Sequence, residues 1–206
     1  EFGWGALTDE KLQDRAAIVR GLMEKRGTVS SHPRMSVVVP AHREQDYILG
    51  TLLSLASQIH RNVEFIIVSS GEPAGNVTQQ IAETSGFTVV HEPNKGWANA
   101  HAAGLEAARG EIYVTTDADT LHAPNWLTAA DRIISASSSI AAIGSVRFVD
   151  IQTAKRIYFA GANTYKRLFE TDGLKLKRAA WGANSFFSRE ALLQAGGYDH
   201  LPPHLS

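Results

Sequence analysis

Cysteine is absent from this sequence, and so are long apolar runs and any excess of one charge. The lack of cysteine excludes disulfides, thiolate zinc sites and a cysteine nucleophile, but it fits any compartment. No apolar stretch approaches the roughly 18 residues that a membrane-spanning helix needs. With 20 basic and 21 acidic side chains, the formal net charge of -1 gives no global attraction to nucleic acid or anionic membranes. We therefore expect a soluble chain that holds any anionic ligand locally.

Three common sequence signatures are also missing. There is no GxGxxG after a strand, which argues against a dinucleotide-binding fingerprint, and no GxxxxGKS/T, which excludes a P-loop. A GxSxG nucleophile elbow is missing too. Any bound phosphate must therefore be held by a metal ion and side chains.

The length and composition of the chain favour one sizeable core. It has 206 residues, of which 44% are hydrophobic and 20% are charged. Because it begins with Glu1 instead of Met and stops at Ser206, we expect a fragment of a longer polypeptide.

A first helix is predicted near the N-terminus, where Thr8 can cap it and Gly27 can end it. Its apolar residues share one face: Leu12, Ala16, Val19 and Met23. A linker follows. We therefore predict an N-terminal helical appendage with its linker over residues 1–34 and a domain over residues 35–206.

From residue 35 onward, short runs rich in β-branched residues alternate with helical stretches. The predicted strands cover 35–40, 63–69, 87–91 and 111–116, and the predicted helices cover 47–58, 77–84 and 97–108. Continuous apolar strands separated by helices are typical of a parallel sheet with helices on both faces, so we predict an α/β fold. The second half is less regular, with a strand over 140–150, an amphipathic or irregular stretch over 152–169, and a loop, strand, helix and turn over 178–199.

Several predicted loops fall at the edge of the sheet where ligands of open parallel sheets bind, beyond the carboxyl ends of the strands. They cover 41–44, 69–72, 94–95 and 117–119. The last loop contains Asp117 and Asp119. Carboxylate oxygens suit Mg²⁺ or Mn²⁺, which can bridge a protein to a diphosphate. The alternative interpretation is a solvated polar turn in which Asp119 caps the chain that follows.

Four blocks of the sequence occur in a characteristic order: SVVVPAHRE, NVEFIIVSSG, NKGWANAHAAGLEAARGEIYVTTDAD and GANSFFSREALLQAGGYD. In order and spacing they resemble glycosyltransferase family 2, whose enzymes have the GT-A fold, over about residues 35–199. The resemblance implies transfer of a sugar from a nucleotide diphospho-sugar, of UDP or GDP type, to a carbohydrate or lipid-linked acceptor. It also implies inversion at the sugar and assistance by Mg²⁺ or Mn²⁺.

The same resemblance implies roles for particular residues. The nucleotide-binding half would cover 35–120 and the acceptor half 121–206. The residues expected to contact the nucleotide are Pro40, Ala41, Glu44, Ser69, Lys95 and Asp117. Asp119 is expected to be the principal metal ligand, with Asp117 assisting it. The residues expected beside the sugar and the acceptor are Trp181, Gly182 and Asn184.

Two departures from the family pattern concern the nucleotide. An acidic pair usually follows the second strand, whereas this chain has Ser69 and Ser70, whose hydroxyls cannot provide a carboxylate acceptor. The helix after NKG usually carries an Asn where this chain has Ala102, next to His101. These changes weaken the prediction of a uracil donor and are compatible with another donor or with reduced activity.

An inverting transfer needs a general base to deprotonate the acceptor hydroxyl. In the family this acid commonly lies in a Glu-Asp motif shortly after the GGYD block, which here would fall beyond Ser206. Asp199 is the fallback carboxylate. His122, three residues after Asp119, could approach the site, although a solvated position is the commoner outcome for such a residue.

Two other functions stay open from the sequence. A sugar-phosphate nucleotidyltransferase shares the general fold, but PAHREQ lacks the Gly-rich basic loop that such an enzyme carries after its first strand. A non-catalytic nucleotide-sugar binding module would explain the departures and the missing base. We expect a location in the cytoplasm or at the cytoplasmic face of a membrane, since a longer parent could carry spanning helices after Ser206.

Overall fold

The computed structural model describes residues 9–137, 140–146 and 184–198. Six helices lie in these ranges: α1 (Asp9–Arg26), α2 (Ile48–Ala56), α3 (Val77–Thr84), α4 (Trp97–Ala107), α5 (Trp126–Ser137) and α6 (Arg189–Gln194). Six strands accompany them: β1 (Met35–Ala41), β2 (Val63–Ser70), β3 (Thr88–Glu92), β4 (Ile112–Thr115), β5 (Ala141–Ile143) and β6 (Ser185–Ser188). Within the described ranges, no helix is long and apolar enough to cross a membrane.

The strands form one sheet in the order β3-β2-β1-β4-β6-β5. Strands β1 to β4 are parallel, with Met35 of β1 opposite Val63 of β2 and Ile112 of β4. Strand β6 runs antiparallel to both β4 and β5. The predicted α/β fold with a mainly parallel sheet is therefore confirmed, and the carboxyl ends of β1, β2, β3 and β4 meet at one edge.

Burial on both faces explains why the strands are apolar without alternation. Neighbouring residues of a strand point to opposite faces of the sheet. Val37 and Val39 of β1 accordingly pack in the core that contains α1, α2, α3 and α5, whereas Val38 packs in the core that contains α4. A strand covered on both faces is therefore apolar along most of its length.

The N-terminal helix α1 ends at Arg26, before Gly27 with φ +78°. Ala16 and Val19 are buried in the core shared with α2 and α3. The Arg26 guanidinium donates to backbone carbonyl oxygens after the end of α2, including Gln58 O at 2.6 Å. Burial, followed by repulsion from Arg61, lowers the Arg26 pKa to about 10. Helix α1 thus contributes to the core, while the domain boundary at residue 34 stays a prediction.

The sequence-based bounds hold within two residues for the first four strands and the three helices between them. Beyond β4 the agreement is partial. The strand predicted over 140–150 is observed as β5, from Ala141 to Ile143, and helix α5 was not predicted. Residues 147–150 and the stretch 152–169 lie outside the described residues.

Candidate active site

The loops after β1 and β2 are tied together at the carboxyl edge of the sheet. The His42 Nδ1–H donates to Ser70 O at 2.8 Å, and the Glu44 backbone N–H donates to Thr78 Oγ1 at 3.1 Å. Arg43 pairs with Glu72 at 2.7 Å and has a positive φ of 59°, a strained conformation for a residue other than glycine. The geometry fixes the backbone around Glu44 relative to β2.

Three carboxylates influence one another at this edge. The pKa of Glu44 is raised by desolvation, then by the charges of Asp119 and Asp117, while His42 acts in the opposite direction. The pKa of Asp117 is raised first by desolvation and then by Asp119. Asp117 has an exposed surface, yet surrounding protein atoms still desolvate its carboxylate. The ends of β1 and β4 therefore bring Glu44, Asp117 and Asp119 into one electrostatic site.

The acidic loop, residues 116–122, is fixed from its middle and its ends. Thr51 of α2 donates its hydroxyl to Ala118 O at 2.6 Å, which holds the buried Ala118 against the core. At the two ends, Thr116 Oγ1 and His122 Nε2 lie 2.7 Å apart in a hydrogen bond. With the central residue turned inward, the side chains on both sides of it, Asp117 and Asp119, are exposed.

The two aspartates fit a divalent metal ion by their chemistry. Among the described residues, neither carboxylate makes a side-chain hydrogen bond or an ion pair, and both offer the oxygen ligands that Mg²⁺ and Mn²⁺ prefer. No group of three His, Asp or Glu side chains in the described ranges converges closely enough to hold an ion alone. A metal at this loop would therefore complete its coordination with oxygens from a ligand or from water.

The residues after β2 are positioned differently from the aspartates. Ser69 and Ser70 are buried, and Ser69 Oγ accepts a hydrogen bond from Asn76 Nδ2 at 2.8 Å. Pro40 is half-buried and Ala41 is buried, in register with Val68 and Ser69. The Ser69 hydroxyl thus stabilises the loop after β2 through its bond to Asn76.

Lys95 lies in the loop before α4 and is exposed. A Cβ atom built on Gly71 would lie 2.7 Å from the Lys95 Cβ, so the two loops are in close contact. Gly71 also has φ +66°, in the region that favours glycine. The structure therefore brings Lys95 beside the end of β2.

Asn184, at the start of β6, is held by internal hydrogen bonds. Its Oδ1 accepts from the Trp126 indole N–H at 2.9 Å, and its Nδ2 donates to Ser145 O at 3.1 Å. The side chain is buried. The other residues expected on the sugar side, Trp181 and Gly182, and the fallback carboxylate Asp199 lie outside the described residues.

The sequence indicated that His122 could approach the site, but it gave no role to Trp126 or Tyr113. His122 is not solvated but half-buried, stacked on Trp126 with ring centroids 3.7 Å apart, and burial lowers its pKa to about 4. His101 is buried, its Nδ1 lies 3.0 Å from the Tyr113 hydroxyl, and burial lowers its pKa to about 3. Both imidazoles are therefore neutral at pH 7. The spacing from Asp119 indicated His122, but nothing in the local sequence indicated that Trp126 would reach Asn184.

Comparison with known proteins places these features in a family. A family model described as glycosyl transferase family 2 matches residues 36–194. The Bacillus subtilis protein EpsH, named as a glycosyltransferase, is 32% identical over 97 residues, which are 46% of this chain and 28% of EpsH. The glycosyltransferase GlyG of Streptococcus pneumoniae is 28% identical over 97 residues, covering 45% of this chain and 32% of GlyG. The chain therefore matches about a third or less of these relatives.

Solved structures share the fold. The mannosyltransferase PcManGT from Pyrobaculum calidifontis, in complex with GDP-Man and Mn²⁺, has a TM-score of 0.60 and 22% identity over 91% of this chain and 60% of its own. Glucosyl-3-phosphoglycerate synthase from Mycobacterium tuberculosis, in complex with Mn²⁺, UDP-Glc and phosphoglyceric acid, has a TM-score of 0.54 and 20% identity over 94% and 66%. With a family model that matches most of its length, the chain belongs to glycosyltransferase family 2 and has the GT-A fold.

Proposed function

We propose that this chain is the nucleotide-sugar-binding domain of a glycosyltransferase that moves a sugar from a nucleotide diphospho-sugar to an acceptor hydroxyl. The observation that carries the proposal is that Asp117 and Asp119 lie near enough to Glu44, at the carboxyl edge of the sheet in a family 2 chain, for their charges to raise its pKa. Like charges at close range are unfavourable unless a cation compensates them. The three acids therefore favour a site that binds a divalent cation together with an anionic donor.

The residues proposed to hold the nucleotide come from loops and strand ends at the same edge of the sheet as these acids. The loop after β1 contributes Pro40, Ala41 and Glu44, and the end of β2 contributes Ser69. Lys95 lies beside Gly71 with an exposed side chain, so its ammonium group is available to a diphosphate. Asp117 faces the ribose or the metal. The buried hydroxyl of Ser69 already accepts from Asn76, so its role is to support the pocket.

Asp119 is proposed as the principal metal ligand, with Asp117 as its assistant. A bound Mg²⁺ or Mn²⁺ would supply charge stabilisation to the departing diphosphate. The residues of the chain position the ligands: Thr51 and His122 fix the backbone of the loop that carries both aspartates. The complexes of PcManGT with GDP-Man and Mn²⁺ and of the mycobacterial synthase with Mn²⁺ and UDP-Glc support a nucleotide sugar and a divalent metal.

The sugar and the acceptor are proposed to bind beside β6, near Trp181, Gly182 and Asn184. Inversion requires a base on the far side of the anomeric carbon from the departing diphosphate. We propose that this base lies beyond Ser206, with Asp199 as the fallback, and that the acceptor is a carbohydrate or a lipid-linked molecule. The proposed location is the cytoplasm or the cytoplasmic face of a membrane.

A non-catalytic nucleotide-sugar binding module is the second candidate. The observation that favours it is the hydrogen bond between Ser69 and Asn76, because a base-reading carboxylate is replaced by a hydroxyl engaged inside the protein. Family membership weighs against a sugar-phosphate nucleotidyltransferase, which we do not propose.

Calorimetric titration with UDP-glucose and GDP-mannose, with and without Mn²⁺, separates these candidates. The proposal predicts binding of one donor that depends on Mn²⁺, and sugar transfer by a version of the chain that extends past Ser206. Mn²⁺-dependent binding without transfer by the longer chain would favour the binding module. Absence of nucleotide binding in every condition would overturn both.

A further inference from the structure

A connected set of polar and stacking contacts runs from the acidic loop to β6. We call it the aromatic relay and define it as His122, Trp126 and Asn184. At one end, His122 Nε2 makes its 2.7 Å hydrogen bond to Thr116, the residue before Asp117. At the other end, the Trp126 indole N–H donates to Asn184 Oδ1 at 2.9 Å. Between them, the two rings stack at 3.7 Å with an angle of 16° between their planes.

The acidic-loop end of the relay closes a short loop. Thr116 and His122 are six residues apart, and their side chains join the points at which the chain leaves β4 and approaches α5. Burial lowers the pKa of His122 to about 4, so its imidazole is neutral and places no positive charge beside Asp117 and Asp119. This histidine therefore shapes the loop without competing with a cation for its carboxylates.

The β6 end of the relay is equally constrained. The Trp126 ring contacts both His122 and Phe186 of β6, the latter at 5.5 Å between centroids. Asn184 Nδ2 donates to Ser145 O, and a Cβ atom built on Gly144 would lie 2.1 Å from that nitrogen. Asn184 thus has little freedom, and the relay connects the acidic loop to the end of β5 and the start of β6.

We propose that His122 and Trp126 are positioning residues that hold the acidic loop in the geometry needed to bind the metal and nucleotide. This inference rests on the proposed function. The aspartates themselves are exposed, so packing around their side chains does not fix them. Their orientation depends on the backbone of residues 116–122, which Thr51 holds in the middle and the relay holds at its end. A loop that is ordered before binding loses less conformational entropy when the ligand arrives.

Two variants that each remove one polar contact while keeping an aromatic ring test the proposal. His122→Phe keeps a ring on Trp126 but loses the bond to Thr116, and Trp126→Phe loses the indole N–H that reaches Asn184. The probes are UDP and GDP titrated calorimetrically in the presence of MnCl₂, at a temperature well below the measured Tm. We expect each variant to bind the nucleotide about five- to tenfold more weakly, the size of one hydrogen bond. The double variant Thr116→Val/His122→Phe should bind the nucleotide no more weakly than His122→Phe alone, because both substitutions remove the same hydrogen bond.

Asp131→Asn is the matched control, because it lies on the same helix α5 and weakens an ion pair with Arg34 that lies away from the relay. It should lower the Tm and leave the nucleotide affinity within twofold of the wild type. If one of the two relay variants fails to fold, the nucleotide affinity of the other tests the positioning role. Wild-type affinity in the folded relay variants would overturn the positioning role alone. A wild-type chain that binds neither nucleotide with Mn²⁺ would overturn the proposed function and the relay with it.

Discussion

The environment of Glu44 and Asp117 disfavours the charged forms of their carboxylates. Desolvation is the first cause of both raised pKa values, and the neighbouring carboxylates add to it. Groups with shifted pKa values cluster at functional sites, and a bound cation would offset the repulsion between these carboxylates. We therefore expect the same carboxylates that lower the stability of the metal-free protein to bind the metal.

The pH dependence of stability tests this link. The folded chain binds the Glu44 proton more tightly than the unfolded chain does, so this group costs stability as pH rises from its ordinary pKa through the raised one. Glu44→Gln should therefore raise the Tm at pH 7, and the gain should vanish below the ordinary carboxyl pKa. Thermal unfolding of the metal-free protein from pH 3.5 to 7.5 measures it, these bounds lying roughly on either side of that pKa. Asp14→Asn on α1 is the control; an equal gain from it would contradict the local origin.

The contact between Gly71 and Lys95 allows a second substitution to be predicted. An Ala side chain at Gly71 would need a strained φ of +66° and would meet the Lys95 Cβ at 2.7 Å. We expect Gly71→Ala to cost about 1–3 kcal/mol of unfolding free energy and to weaken nucleotide binding, because Lys95 must move. Gly75→Ala isolates the strain, since it has φ +77° and no atom within 4 Å of the added Cβ. Equal nucleotide affinity in the two variants would exclude a role for the Lys95 loop.

Helix α4 lies very close to the sheet, and one glycine permits it. Gly104 of α4 faces Val38 in the centre of β1. A Cβ atom built on Gly104 would lie 2.3 Å from Val38 Cγ1. The same approach brings Ala100 and Leu105 into the core on that face. The small residue is therefore required by packing and not by backbone conformation.

Substituting two helical glycines separates packing from helix propensity. Gly104→Ala should destabilise the protein by about 1–3 kcal/mol because the core is overpacked. Gly21→Ala in α1 has no atom within 4 Å of the added Cβ and should stabilise by about 0.5–1 kcal/mol. Urea unfolding measures both. A stabilising Gly104→Ala would show that α4 can shift away from β1 at no cost.

The elements that the sequence predicts best are those with strong local signals. Strands β1 to β4 are continuous β-branched runs bounded by turns, and helices α2 to α4 have capping or breaking residues near their ends. Helix α5 was not predicted, although Leu127, Ala130 and Ile134 recur on one face of it and pack against the core, a helical periodicity that the sequence does contain. The relay was missed because the contact between Trp126 and Asn184 joins residues 58 positions apart.

The candidate site shows the same division between local and long-range information. The position of Asp117 and Asp119 after an apolar strand was sufficient to predict the edge of the sheet at which they lie. The hydrogen bonds that occupy Ser69 and Asn184 depend on partners from other loops, so no local pattern could predict them. Their roles toward a ligand stay predictions.

At the scale of the whole molecule, the two edges of the sheet serve different purposes. Among the residues that the structure describes, Glu44, Asp117 and Asp119 at the carboxyl edge have no ion-pair partner, whereas Glu72 at that edge pairs with Arg43. At the opposite edge the acids are paired: Arg109 holds the buried Glu64 with its backbone N–H and its guanidinium, and Arg34 pairs with Asp131. The paired acids at the opposite edge stabilise the fold, and the three acids of the carboxyl edge are available for a ligand.

This division predicts opposite effects of two charge-removing substitutions. Glu64→Gln replaces a carboxylate that accepts from Ser36 and Arg109, and it should lower the unfolding free energy by about 1–3 kcal/mol while nucleotide affinity stays unchanged. Asp119→Asn removes a like charge from the acidic site and should leave the Tm equal or higher. Urea unfolding of both variants measures the difference. A marked loss of stability in Asp119→Asn would mean that the carboxylate is structural.

The central claim is that Asp119 binds the metal that holds the nucleotide diphosphate. Calorimetric titration of the wild type and of Asp119→Asn with UDP and GDP, with and without Mn²⁺, tests it most directly. The account predicts that the wild type binds one nucleotide only with Mn²⁺ and that the substitution abolishes this binding while the protein stays folded. Mn²⁺-dependent binding that survives in Asp119→Asn would contradict it, and the acidic loop would then be a solvated turn.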